Sequence, residues 1–237
     1  MPIKYSEAQT IDAISKALEK PLSVYNSGCC NWRGKPNDSD RFYTDIIAEK
    51  ILSQYDSWVD FLERSKIKRE NTANVSRSNS KPSNEQSNRI EEQIAKKMYG
   101  QTWYGIGEVK GFQVPLKDKL DAQNKGRGKI DLLSVTEDGD LAIIELKKPY
   151  SNETLLRCAL EIETYYRISD HSQLRKDFGI SSNKIKKIVL IEKDSAPHKN
   201  FESGHRKVLE LIDRAGIIVL VYEINHDINE LISIEDA

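Results

Sequence analysis

The sequence is poor in the residues that staple or metallate small folds: 3 cysteines, 4 histidines and 2 methionines in 237 residues. Cys29, Cys30 and Cys158 cannot build a disulfide framework, and no histidine stands at zinc-finger spacing from them. A disulfide-dense secreted scaffold is therefore excluded. No run of about 18 apolar residues occurs, which excludes a membrane-spanning helix. The start, Met1-Pro2-Ile3-Lys4-Tyr5-Ser6-Glu7, lacks the apolar stretch of a secretory signal. Repeats at solenoid or propeller periods are absent as well. The expectation is a reduced, cytoplasmic protein with no membrane partner. Charge of one sign is also lacking overall: 36 Lys and Arg against 37 Asp and Glu leave a net charge of −1, so the chain is not a bulk polycation.

Hydrophobic residues make up 38% and charged residues 31%, enough apolar material for one sizeable core under a charged surface. The charge is patchy. Between Lys96 and Lys129 eight basic residues outnumber three acidic ones, whereas the last sixteen residues hold five acids and no Lys or Arg. A local basic zone on a neutral protein suits a polyanionic partner, although a solvated loop has the same composition.

Residues 1–64 read as a helical N-terminal extension. One helix is predicted over Ser6–Glu19, ended by Pro21. A second spans Phe42–Leu62, where Ile47, Ile51, Tyr55, Trp58 and Leu62 recur at three- and four-residue steps. The segment around Ser27–Gly34 reads as loop. Residues 65–88, dominated by Ser, Asn, Lys and Arg, read as a polar linker or mobile loop. From 89 to 237 the pattern is α/β: a helix at 88–99, strands at 109–116, 129–135 and 141–147, a helix at 152–168, a strand at 185–191, a helix at 201–215 and a strand at 217–224. Gly139, in Asp138-Gly139-Asp140, makes the turn of a hairpin. The expected fold is a mixed central sheet flanked by helices.

The chemistry concentrates in Gly128-Lys129-Ile130-Asp131-Leu132-Leu133 and Leu141-Ala142-Ile143-Ile144-Glu145-Leu146-Lys147-Lys148. Alternate side chains of a strand share a face, so Glu145 and Lys147 project together and Leu146 points away. The hairpin carries Asp131 onto the neighbouring strand. Two carboxylates and an amine then meet within apolar strands, where carboxylates are costly unless paired or bound to a cation. Their oxygens suit a hard cation such as Mg2+.

Here the sequence resembles the PD-(D/E)xK nuclease superfamily, which includes restriction endonucleases and Holliday-junction resolvases. The resemblance rests on Asp131, on Glu145-Leu146-Lys147 and on the order of elements around them, and it covers roughly 88–224. It implies a restriction-endonuclease-like fold and an Mg2+-dependent hydrolysis of DNA phosphodiester bonds, with Mn2+ as a substitute. By the same resemblance Asp131 and Glu145 are metal ligands, Leu146 lends its backbone carbonyl and Lys147 is the catalytic cation. The residue before Asp131 is Ile130, where the strict pattern has proline. Glu91, on the inward face of the helix at 88–99, matches a further metal or water ligand of resolvase-like members, with Glu92 as second choice. Glu161 and Tyr165 match the Gln-x-x-x-Tyr of many members, with Glu in place of Gln.

A second Glu-x-Lys triplet, Glu108-Val109-Lys110, has no such hairpin aspartate. His198 and His205 read as surface residues, and Cys29-Cys30 as structural. Lys125, Arg127 and Lys129 fall just before Asp131, where a DNA backbone would approach the site. The helices of 1–64, presenting Tyr55 and Trp58, are expected to form a homodimer, complete the core or contact DNA. The rival expectation is a non-catalytic nucleic-acid-binding or assembly module that retains the fold.

Overall fold

The computed structural model describes residues 4–69, 90–116, 128–227 and 230–237. Helix α1 spans Glu7–Leu18, α2 Tyr43–Leu52, α3 Tyr55–Arg64 and α4 Ile90–Met98. Strands β1 (Thr102–Trp103), β2 (Gly107–Pro115), β3 (Lys129–Val135) and β4 (Leu141–Leu146) follow, then α5 (Leu155–Ile168) and α6 (His171–Phe178). The chain closes with β5 (Ile185–Glu192), α7 (Ala196–Glu202), α8 (Arg206–Ala215), β6 (Ile217–Asn225) and β7 (Glu230–Asp236).

The protein is α/β, with one seven-stranded mixed sheet whose spatial order is β1-β2-β3-β4-β5-β6-β7. The pairs from β1 to β4 are antiparallel, β4-β5 and β5-β6 are parallel, and β6-β7 is antiparallel. The central parallel strands are buried on both sides, which is why β4 is apolar at five of its six positions, all six being buried. The β3–β4 turn needs Gly139 at φ 78°, a conformation that side chains other than glycine rarely adopt. One sheet face packs against α5 and α8 around Ile143, Val189 and Val221, and α2 and α3 extend that core outward by packing on α8 and α5. The other face, which includes Ile144, Leu190, Tyr222 and, from β7, Leu231 and Ile234, packs against α4.

Several expectations are corrected. The stripe over Phe42–Leu62 forms two helices, because the chain breaks at Ser53 and Gln54 while its periodicity runs on. Tyr55 and Trp58 are 5% and 4% exposed, so the stripe is buried within the chain and presents no free aromatic surface. Trp58 donates its indole N–H to the Pro21 carbonyl, and Tyr55 donates its hydroxyl to Glu163 on α5. Of the three roles left open for these helices, their packing supports completion of the core. The segment read as loop holds two short 3-10 turns, Pro21–Asn26 and Gly28–Asn31, which bury Cys29 and Cys30. The first residues of the expected linker are packed: Ile67 is buried and donates its N–H to the Ile168 carbonyl. Residues 70–88 of that segment lie outside the described residues.

The helix expected at 201–215 is also divided, at Gly204 with φ 66°. His205 is buried rather than on the surface, stacked on Phe42 and bonded through Nδ1 to the Thr44 hydroxyl at 2.7 Å. Among the described residues no helix is long and apolar enough to cross a membrane.

Candidate active site

Antiparallel register builds the site. Leu132 faces Ile144 and Leu133 faces Ile143, so one step further Asp131 comes beside Glu145. On the other flank Phe112 faces Leu132 and Val114 faces Ile130, which brings Gln113 beside Asp131. The Asp131 carboxylate is fixed on both oxygens: Oδ1 accepts from Gln113 Nε2 at 2.9 Å and Oδ2 from the Leu146 N–H at 3.0 Å. Gln113 adopts φ 49°, a left-handed conformation in the middle of β2. Such strain persists only where the surroundings over-determine it.

Lys147 follows the last residue of β4, and its N–H still donates to the Leu190 carbonyl at 3.0 Å. Its ammonium is 2.6 Å from Glu145 Oε1, 2.8 Å from Glu153 Oε2 and 3.0 Å from Glu161 Oε2. The Tyr165 hydroxyl donates to the other oxygen of Glu161 at 3.2 Å, since the i, i+4 spacing on α5 puts both on one face. Arg157 pairs with Glu153 at 3.2 Å. Gly128 is pressed against this wall: a Cβ there would lie 2.5 Å from the Tyr165 hydroxyl oxygen, so only glycine fits.

The electrostatics are unbalanced. Among the described residues, Asp131, Glu145, Glu153 and Glu161 are four carboxylates served by two cations, Lys147 and Arg157. Burial, with Glu91 adding negative charge and Lys147 opposing it, pushes the Asp131 carboxyl up to about 7. Burial and then Asp131 push Glu145 well above the usual carboxylate range. For Glu161 burial acts upward too, but Lys147 outweighs it and holds the carboxyl below its usual value. Burial disfavours the Lys147 ammonium, and Glu145 leads the charges that overcome it and raise its pKa.

Glu91 and Lys129 stand at the margin. Glu91 on α4 accepts the Lys148 N–H at 3.1 Å and reaches Asp131 through its charge. Lys129 opens β3 and is exposed, while Lys125 and Arg127 lie outside the described residues. Glu108 and Lys110 form a half-buried pair on β2, far in register from Asp131.

Four contributors escaped the sequence reading: Gln113, Glu153, Tyr222 and Tyr25. Tyr222 donates its hydroxyl to the Lys147 carbonyl at 2.6 Å, and Tyr25 donates to Tyr165 at 3.3 Å. A tyrosine inside the apolar run of β6 was a usable signal, because a buried hydroxyl requires a partner.

Among the described residues no group of three His, Cys, Asp or Glu side chains stands at metal-ligating geometry. The donor set nevertheless fits a hard divalent cation, because adjacent carboxylates outnumber the cations beside them. No protein-family model, curated protein or solved structure matches the chain.

Proposed function

We propose that this chain is a divalent-metal-dependent nuclease of restriction-endonuclease-like fold that hydrolyses DNA phosphodiester bonds as an endonuclease. The observation that carries the reading is Asp131 and Glu145 on neighbouring antiparallel strands, with Lys147 held 2.6 Å from Glu145 where, among the described residues, carboxylates outnumber cations. The order helix, four antiparallel strands, two helices, parallel strand supports the fold assignment.

In this reading Asp131 and Glu145 hold Mg2+ or Mn2+, with the Leu146 carbonyl as a neutral third donor and Glu91 as an outer one. When bound, the cation polarises the scissile phosphate and makes water a better nucleophile near neutral pH. Gln113 and the Leu146 N–H aim the Asp131 carboxylate. Lys147 offsets the negative charge that grows on the phosphate oxygens as water attacks. Glu161, steadied by Tyr165, keeps the ammonium protonated and in place. Lys129, exposed at the start of β3, contacts the DNA backbone.

The test is incubation with supercoiled plasmid, single-stranded and four-way-branched DNA in Mg2+, Mn2+ or chelator. Cleavage that requires metal and disappears in Glu145→Gln is the expected result. DNA binding without cleavage in every metal would instead favour a non-catalytic binding module.

A further inference from the structure

Three residues beyond Lys147 the chain presents Tyr150, a residue that the proposed chemistry does not use. Tyr150 is 69% exposed, the most open of the large hydrophobic side chains among the described residues. Its backbone is nonetheless strained, at φ 55°. For a residue with a Cβ that conformation is unfavourable and persists only where the surroundings impose it.

The surroundings hold it there. The Tyr150 N–H donates to Glu192 Oε2 at 2.5 Å, and Glu192 is a buried carboxylate at the end of β5. Glu192 Oε1 lies 3.1 Å from His226 Nε2. The His226 imidazole in turn stacks on the Tyr150 ring, with centroids 4.5 Å apart and planes 16° from parallel. Upstream, Glu91 takes the Lys148 N–H and the Tyr222 hydroxyl takes the Lys147 carbonyl. Side chains from α4, β5 and β6 thus clamp the segment that follows the catalytic lysine. What the clamp delivers to solvent is a flat aromatic ring, backed on one face by His226.

A ring so exposed does not serve the core. Its free π-face suits another flat aromatic, and nucleobases stack on tyrosine with about 1–3 kcal/mol per base. Three residues reach at most about 11 Å, and stacked nucleotides advance about 3.4 Å along a strand. We propose that Tyr150, backed by His226, is a stacking platform for one unpaired base within about three nucleotides of the phosphate attacked at Asp131, Glu145 and Lys147. The inference rests on the nuclease reading and narrows it: the substrate class is single-stranded or branched DNA, because in uninterrupted duplex each base face is already stacked on its neighbour.

The experiment reads binding in Ca2+ by anisotropy, with a labelled single strand and an uninterrupted duplex of the same sequence. Tyr150→Ala is expected to lower single-strand affinity about tenfold and to reduce the single-strand-to-duplex preference by a similar factor. Tyr150→Phe keeps the π-face and is expected to stay within about twofold of the parent. Tyr104→Ala removes another exposed tyrosine, on the β1–β2 connection, and is expected to change neither affinity. A 2-aminopurine in the strand should be quenched by the parent protein and less by Tyr150→Ala. The platform is overturned if the parent binds no single strand, if Tyr150→Ala binds it as tightly, or if both DNAs lose affinity equally. Failure of the nuclease reading looks different: the parent cleaves no DNA in any metal, whatever the stacking result.

Discussion

The Tyr25 hydroxyl donates to the Tyr165 hydroxyl at 3.3 Å, joining residues 140 positions apart with their rings edge to face. Tyr165 donates to Glu161, and Glu161 holds the Lys147 ammonium. The N-terminal 3-10 turn is therefore three contacts from the centre of the site.

Tyr25→Phe removes one donor from that chain and should cost about 1 kcal/mol of stability in urea unfolding. Tyr25→Ala should cost about 3 kcal/mol, because a buried ring is lost as well. Deleting residues 1–64 uncovers the apolar faces of α5 and α8 on which α3 and α2 pack. Circular dichroism in urea should then show no cooperative transition. A sharp transition in the truncated chain would mean that those helices are a separable appendage.

The raised Asp131 pKa, about 7 against an ordinary 3.8, fixes the sign of a pH effect in the metal-free protein. The folded state keeps a proton that the unfolded chain has released. Stability from this group is complete below about pH 4 and is lost as pH rises to about 7. A divalent cation bound as proposed would reverse the trend by stabilising the ionised carboxylates. In calorimetry, Mg2+ should raise the melting temperature by several degrees at pH 8 and scarcely at pH 5. Glu145→Gln, which removes one crowded carboxylate, should raise the metal-free melting temperature at pH 8 and abolish the Mg2+ shift. An undiminished shift in that variant would remove Glu145 from the metal site.

Lys147 and Lys148 are adjacent in sequence but differ in burial, the first 5% exposed and the second open to solvent. Lys147→Ala should lower the single-turnover cleavage rate by orders of magnitude, with DNA affinity changed less than about tenfold. Lys148→Ala should retain most of the rate. Equal losses in the two would show that the ammonium at Glu145 has no part in the chemical step.

On the far side of α5, Glu163 accepts from Lys187 at 2.5 Å, Tyr55 at 2.8 Å and Arg167 at 2.8 Å. Burial lowers the Lys187 pKa, with Glu163 opposing it. Glu163→Met should destabilise the protein by about 3–5 kcal/mol by leaving a buried ammonium without its carboxylate. Adding Lys187→Met should recover much of that loss, and a double-mutant cycle measures the coupling. Strictly additive losses would mean that the pair is not coupled.

The centre of the sheet was legible because its signals are local. β3 occupies the predicted 129–135, and two-residue alternation sufficed to put Glu145 and Lys147 on one side. Asp138-Gly139-Asp140 marked the hairpin that brings Asp131 alongside. Gln113 was not legible, since nothing in Phe112-Gln113-Val114 announces a positive φ. β7 was hidden by its acids: Leu231 and Ile234 are buried, but the surrounding charges made the segment look like a solvated tail. α6 is held by its ends, Asp170 capping one and Gly179 at φ 65° closing the other, and it buries only Leu174, too little for a periodic stripe. The bonds of Tyr25 to Tyr165 and Tyr55 to Glu163 depend on tertiary packing across more than 100 residues, which no window of sequence contains.

The strand order, β1 to β7 in sequence, has a consequence for synthesis. Each strand pairs with the one translated just before it, so no strand waits for a later one: β1 to β4 can pair as antiparallel neighbours, and β5 and β6 join in parallel once their helical crossovers are made. The amino-terminal helices are in the opposite situation. Thr44 meets His205 across 161 residues, and Asp45 meets the N–H of Lys207 across 162. At about 5–20 residues per second, the apolar face of α2 stays without its docking face for roughly 10–30 s. The part of the chain made first is the part seated last, and during that interval a nascent-chain chaperone has most to cover.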